Sequence, residues 1–186
     1  MKERILDLGV GGGGDYLLRN EPGTLQVGMD IRLDKIKILQ KNHKKEIMPL
    51  VATVENELPF QDGIYDRVRI MFPDGALLYG LCYSDISLWP ELRRVLKDDG
   101  IVEMVVDVPF FGYREVVMNK KRVVQVYDPQ VKIRTRCQEF GFSSSVQKLS
   151  RRTVKEFGTN FSDQFSRWMW IPFFFSVYKI SATKKS

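Results

Sequence analysis

Directly behind the apolar stretch Ile5-Leu6-Asp7-Leu8 the chain places five glycines in six residues, Gly9-Val10-Gly11-Gly12-Gly13-Gly14. Glycine takes positive φ at little cost and carries no side chain, so such a run turns the backbone sharply and lets it approach a ligand with its N–H groups presented. The apolar stretch ahead has strand length, and Tyr16–Asn20 behind it opens a helix. A strand-to-helix turn of this kind is the first unit of an α/β fold, in which ligands gather at the carboxyl ends of parallel strands. Asp30 follows 21 residues after Gly9, at the end of the next strand-like segment, where a carboxylate can accept hydrogen bonds from ribose hydroxyls. Loop and acid together predict an adenosine-containing cofactor. Gly9, Gly11 and Gly14 also satisfy G-x-G-x-x-G, which keeps a nicotinamide dehydrogenase open, and a glycine turn with a purely structural task is the third reading.

Strand and helix patterns alternate along the rest of the chain. Arg4–Leu8, Leu25–Ile31, Pro49–Val54, Asp66–Phe72, Ile101–Val108, Ser144–Leu149 and Phe173–Ser181 read as seven strands. Asp34–Lys45 reads as a helix, as does Leu88–Leu96, where Leu88, Leu92, Val95 and Leu96 share one face. Asp128-Pro129 opens a further helix that ends at Gly141. Phe72-Pro73-Asp74-Gly75 and Asp98-Asp99-Gly100 read as turns, and Arg151–Pro172 as a long connection to the last strand. With no internal repeat and no low-complexity linker, the 186 residues are expected to form one domain, 4–108 carrying the cofactor and 109–186 facing the substrate.

Composition narrows the chemistry. Two cysteines, Cys82 and Cys137, and one histidine, His43, leave little material for a zinc site or a Ser-His-Asp mechanism, so no metal is expected. No run of 18 apolar residues is present, and Met1-Lys2-Glu3-Arg4 leads into a strand, so the expectation is a soluble, cytoplasmic protein without a membrane partner. Lys and Arg outnumber Asp and Glu by 29 to 23, and the excess is local: residues 114–155 hold eleven basic side chains against three acids, a net +8. Such a segment is a solvated face or a contact for a polyanion.

Four segments in order resemble the class I S-adenosylmethionine-dependent methyltransferases. Asp7-x-Gly9-x-Gly11-x-Gly13 is similar to the family's first motif, and Asp30 to its ribose-holding acid. Leu58-Pro59-Phe60 with Asp62 and Tyr65-Asp66-x-Val68 resembles the approach to strand four, and Arg94-Val95-Leu96-Lys97-Asp98-Asp99-Gly100 the turn before strand five. The resemblance implies a Rossmann-like α/β fold: a seven-stranded, mostly parallel sheet with an antiparallel last strand and helices on both faces. It also implies S-adenosyl-L-methionine as cofactor, with Gly9, Gly11 and Gly13 near its methionine part, Asp30 on the ribose, and Val54 and Glu55 near the adenine. Asp7 has a competing structural role in satisfying loop amides, and Glu55 an alternative as a plain loop acid.

A narrower resemblance runs through Asn56-Glu57-Leu58-Pro59-Phe60, Ile70–Leu78, Glu139-Phe140-Gly141-Phe142 and the aromatic tail, and is to the adenine-N1 methyltransferases of 16S ribosomal RNA that confer aminoglycoside resistance. It implies an RNA substrate on the small ribosomal subunit, a monomeric enzyme, and an acceptor turn made of Phe72, Pro73 and Asp74. A flipped base would lie against Phe161 and Trp168, with phosphates held by Arg151, Arg152, Lys41, Lys44 and Lys45. Asp74 stands where that family has tryptophan, and Phe157, Phe161, Phe165 and Trp168 also have the spacing of a buried helix face. Phe72-Pro73-Asp74 also resembles, over a shorter match, the tRNA guanine-N7 methyltransferases, which have an aspartate and proline after strand four. A small-molecule methyltransferase and a cofactor-binding but inactive RNA-associated module are the other readings.

Overall fold

A computed structural model gives the fold and describes residues 2–11, 23–42, 47–83, 87–109, 113–117, 123–156 and 175–185. Nine strands and five helices alternate among these residues. In chain order they are β1 (Glu3–Leu8), β2 (Thr24–Asp30), α1 (Leu33–Asn42), β3 (Ile47–Val51), β4 (Tyr65–Met71), α2 (Gly75–Cys82), α3 (Leu88–Val95), β5 (Leu96–Pro109), β6 (Tyr113–Val117), β7 (Val123–Tyr127), α4 (Pro129–Glu139), β8 (Phe142–Lys148), α5 (Arg151–Glu156) and β9 (Phe175–Lys184). Seven strands make one sheet in the order β3-β2-β1-β4-β5-β9-β8, and β6 and β7 form a separate hairpin. β1 to β5 run parallel, and β9 lies antiparallel between β5 and β8. The mostly parallel sheet with an antiparallel last strand is therefore as the sequence predicts.

This order fixes where a ligand can sit. From β1 the chain moves outward through β2 to β3, then returns to place β4 on the other side of β1. Connections leave in opposite directions at the β1/β4 border, and a crevice opens there outside the carboxyl ends of the strands.

The main core lies on one face of the sheet. Leu6 and Leu8 of β1, Val68 and Ile70 of β4 and Met104 and Val106 of β5 are buried with Leu78 and Leu81 of α2, Leu92 and Val95 of α3 and Ile133 of α4. Alternate residues of each strand supply this face, as the pleat requires. Trp89 is fully buried; its indole N–H donates to the Leu81 carbonyl at 3.0 Å, and its ring meets Phe142 edge-on at 5.5 Å. The opposite face carries smaller clusters. Val10, Ile36, Leu39 and Ile47 pack together, as do Phe72, Val105, Leu149, Val154 and Val177. It also carries a half-exposed chain of ion pairs across four strands, Glu3–Arg67 at 2.7 Å, Arg67–Glu103 at 3.5 Å and Glu103–Lys179 at 3.0 Å.

Several boundaries move. The third strand is Ile47–Val51 rather than Pro49–Val54, and the helix expected over 34–45 is Leu33–Asn42, with Ile36 and Leu39 inward and Ile38 exposed. The strand expected over 101–108 already begins at Leu96. Tyr65 pairs with Leu96 and Arg67 with Ile101, so the Asp98-Asp99-Gly100 turn is looped out of a continuing strand, with Asp99 at φ 60°. The last two strands begin at Phe142 and Phe175, and the 151–172 connection opens with the short helix α5. Helix α2 and the strands β6 and β7 were likewise not expected. The Pro73-Asp74-Gly75 turn is the start of α2, and the β6–β7 hairpin precedes α4. Tyr16–Asn20, Gly13, Lys44, Lys45, Phe161 and Trp168 lie outside the described residues.

Candidate cofactor site

At the end of β1 the chain turns through Gly9 at φ 70° and Gly11 at φ 59°, left-handed conformations that strain any residue with a Cβ. A Cβ on Gly9 would come within 2.7 Å of Leu77 Cδ2 on α2, so the turn is seated against that helix. Among the described residues, a Cβ on Gly11 would meet nothing within 4 Å. The two glycines thus serve different ends, one packing and one clearance.

Three successive N–H groups of this turn are spent on the end of β2. Gly9 and Val10 donate to the Met29 carbonyl at 2.8 and 3.2 Å, and Gly11 donates to Asp30 Oδ2 at 2.8 Å. Asp30 Oδ1 accepts from the Arg32 N–H at 2.8 Å, and the Asp30 carbonyl accepts from the Ala52 N–H at 3.1 Å, which ties in the chain after β3. Over residues 9–11 the turn therefore has no N–H left to cradle a phosphate, in contrast to a dinucleotide-binding loop. The anionic Asp30 beside it opposes a phosphate further. A carboxylate has about four acceptor positions. Asp30 uses two on the backbone, leaving one on each oxygen for a pair of neighbouring hydroxyls. A Gly11 clear of described side chains and a held carboxylate fit a nucleoside without phosphates, which is what S-adenosylmethionine offers. Val54 packs against the main core, and the N–H of Glu55 donates to Thr53 Oγ1 at 3.1 Å in the turn past β3, on the same side as Asp30.

Asp7 is buried two residues before the glycine turn, and both its oxygens are engaged by Arg69 of β4, at 2.6 Å from Nε and 3.0 Å from Nη2. Arg69 is a partner that sequence reasoning missed. Its only signal was a basic residue between Val68 and Ile70 of that strand.

The acceptor turn looks different from its expected use. Phe72 has φ 48°, strained for an aromatic residue, and its N–H donates to the Val105 carbonyl at 2.7 Å. Its ring packs with Val105, Leu149, Val154 and Val177. Pro73 is buried, and the exposed Asp74 caps α2, its Oδ1 accepting from the Gly75 N–H at 2.8 Å and its carbonyl from Leu78 at 3.3 Å. Phe72 and Asp74 thus have structural tasks at the carboxyl end of β4. Asp107, buried on β5 beyond the last β4 pairing, is an acid at this end that was not singled out.

Among the described residues, the expected phosphate contacts lie at two ends of the sheet. Arg151 and Arg152 open α5 just after β8, at the carboxyl end of the sheet, whereas the exposed Lys41 sits in the last turn of α1, which runs back toward the amino ends. Among the described residues no group of three or more His, Cys, Asp or Glu side chains is placed to hold a metal. Burial pushes the Cys82 and Cys137 thiols up to about 12, so neither is a ready thiolate. No described helix is long and apolar enough to cross a membrane.

Comparison with known proteins places the chain in a family. A family model described as a methyltransferase domain matches residues 6–104. The demethylmenaquinone methyltransferase of Streptomyces avermitilis is 34% identical over 100 residues, 54% of this chain and 40% of that protein. The match thus spans about two fifths of that relative's length. Among solved structures, an antibiotic related methyltransferase superposes with TM-score 0.73 at 19% identity, covering 97% of this chain and 87% of the other. The cyclase SpnF gives 0.67 at 17% identity over 99% and 76%. Geranyl diphosphate methyltransferase in complex with S-adenosylmethionine gives 0.66 at 13% over 98% and 78%. At these identities the likeness is one of fold, and a cyclase among them shows that the fold does not set the reaction. The matches do not support the narrower resemblance to ribosomal RNA adenine-N1 enzymes, nor RNA binding or antibiotic resistance.

Proposed function

The chain belongs to the family of S-adenosylmethionine-dependent methyltransferase domains, and from that premise we propose that it methylates a small organic acceptor. The observation that carries the cofactor half of this reading is the Gly11–Asp30 contact: a glycine clear of described side chains beside a carboxylate with acceptor positions to spare. Gly9 and Gly11 let the backbone run under the cofactor, Asp30 takes the ribose hydroxyls, and Val54 and Glu55 flank the adenine. When bound, the cofactor supplies an electrophilic methyl group on a sulfonium with a good leaving group. The protein's part is to hold acceptor and methyl carbon in line and close together, and positioning of that kind supplies much of the rate. Asp74 is engaged in capping α2, so its role at the acceptor end is to set the course of the chain there.

Support for a small acceptor comes from the curated relative, which carries the name demethylmenaquinone methyltransferase and aligns with 100 residues of this chain. RNA is the second reading, favoured by the basic segment 114–155, whose Arg134 and Arg152 are exposed. Titration calorimetry with S-adenosylmethionine, followed by transfer of tritiated methyl groups, separates them. The acceptor pools are a lipid extract containing demethylmenaquinone, a polar metabolite extract, small ribosomal subunits and total tRNA. Label in the lipid or metabolite pool is expected. Label in an RNA pool establishes the second reading, binding without transfer to any pool points to an inactive module, and absence of cofactor binding by folded protein overturns both.

A further inference from the structure

We infer that Asp30 is a latch on the glycine turn before it is a ligand for the cofactor, so that its carboxylate contributes to affinity even for a nucleoside that has no ribose hydroxyls. The inference rests on the cofactor reading above and deepens it.

The geometry is specific. A Cβ on Gly11 would meet no described residue within 4 Å, and the Gly11 N–H is held by Asp30 Oδ2 at 2.8 Å, a bond to a charged acceptor. The other oxygen of the same carboxylate is fixed by the Arg32 N–H at 2.8 Å, so the side chain spans two loops, one leaving β1 and one leaving β2. Neighbouring tethers, Gly9 and Val10 to the Met29 carbonyl, hold only the root of the turn. At Gly11 the positive φ is sustained by a residue with maximal freedom in the unfolded and open states. Without Asp30, that freedom returns, and ordering the turn becomes a cost charged against cofactor binding. A residue that only received the ribose would leave the free protein's turn unchanged.

Asp30→Ala removes both acceptors, and Asp30→Asn keeps one carbonyl oxygen in the same place and guards against a folding defect in the first variant. The first measurement is amide exchange in the absence of ligand, over the peptides covering Leu8–Gly11 and Arg4–Leu6. Exchange at Gly11 is expected to accelerate about tenfold in Asp30→Ala and less in Asp30→Asn, with Arg4–Leu6 unchanged. Equal acceleration in both peptides marks general destabilisation and overturns the latch, as does no change in either.

The second measurement is the affinity of S-adenosylhomocysteine and of its 2′,3′-dideoxy analogue. Both are expected to bind Asp30→Ala at least several-fold more weakly than wild type. Loss for the natural nucleoside with an unchanged dideoxy analogue assigns Asp30 to the ribose only and overturns the proposal. Failure of wild type to bind either nucleoside overturns the cofactor reading instead, and the exchange result still decides the latch.

Discussion

Asp7 and Arg69 stand opposite each other in the register of β1 and β4 and form a two-pronged ion pair, 2.6 and 3.0 Å, with side chains 1% and 6% exposed. Two charges so far from water are expensive, and their attraction only offsets that cost while both are present. Asp7→Asn or Arg69→Met, each removing one charge of the buried pair, is expected to lower the unfolding free energy by about 3–5 kcal/mol. Replacing both residues by apolar ones of similar size should recover most of the loss. Urea unfolding of the two single variants and the double variant checks this, and additive losses would sink it. The pair also locks the strand end that launches the glycine turn, so either single variant should weaken cofactor binding.

The two positive-φ glycines of the turn are expected to fail in different ways. In Gly9→Ala the new methyl group meets Leu77 Cδ2 at 2.7 Å, and Leu77 is itself buried in the core. Backbone strain of about 1–2 kcal/mol then adds to a displaced leucine, and thermal stability should drop clearly. Gly11→Ala carries similar strain with no clash among the described residues, so its stability loss should stay near that strain alone. Its methyl group projects into the space over the turn, and cofactor affinity should fall by tenfold or more. Parallel calorimetry and thermal melts on both variants test the contrast; identical profiles would refute it.

Burial makes the two thiols slow. Cys82 and Cys137 are inside the core with thiols pushed up to about 12, so at pH 8 almost no thiolate is present to react. Iodoacetamide is expected to leave both unmodified in the native protein and to label both in urea. Rapid labelling of either in the native state would contradict the burial.

The sheet and its turn were legible because their signals are local. Glycine after an apolar run, an acid at the next strand's end and the period-two alternation of the strands each act within a few residues. The β6–β7 hairpin had such a signal too: Val123, Gln125 and Tyr127 are exposed while Val126 is buried and Val124 half-buried, a plain alternation that the neighbouring lysines and arginines obscure. Helix α2 was hidden for another reason. Pro73-Asp74-Gly75 is a turn signal and an N-cap signal at once, and the burial of Leu77, Leu78 and Leu81 decides between them. Partners across strands, such as Arg69 for Asp7, depend on register, which the chain order does not reveal. The same holds for Lys41, which looks close to Asp30 in sequence and is carried by α1 to the other end of the sheet.

Arg94 explains why the segments around 58–62 and 94–100 occur together, and it gives the fold an acid-sensitive point. Its guanidinium donates to the Leu58 carbonyl at 2.8 Å, the Phe60 carbonyl at 2.7 Å and Asp62 Oδ1 at 2.7 Å, while pairing with Glu91 at 2.6 Å. Glu91 in turn accepts from the Leu58 N–H at 2.7 Å, so one ion pair on α3 clamps the whole loop. Hydrogen bonding from Arg94 holds the Glu91 carboxyl below its ordinary 4.5. A depressed folded-state value means that this stability is fully present above about 4.5 and is lost as pH falls through the lower folded value. Wild-type urea midpoints should therefore decline steeply from about pH 5 to pH 3. Glu91→Gln, which cannot titrate, should start lower and decline less. Asp66 supplies part of the remaining slope, since burial raises its carboxyl but Lys97 and the Arg4 N–H lower it by more. Parallel slopes for wild type and Glu91→Gln would remove Glu91 from the account, and Arg94→Lys, with a single point charge unable to reach all four acceptors, should destabilise the protein at every pH.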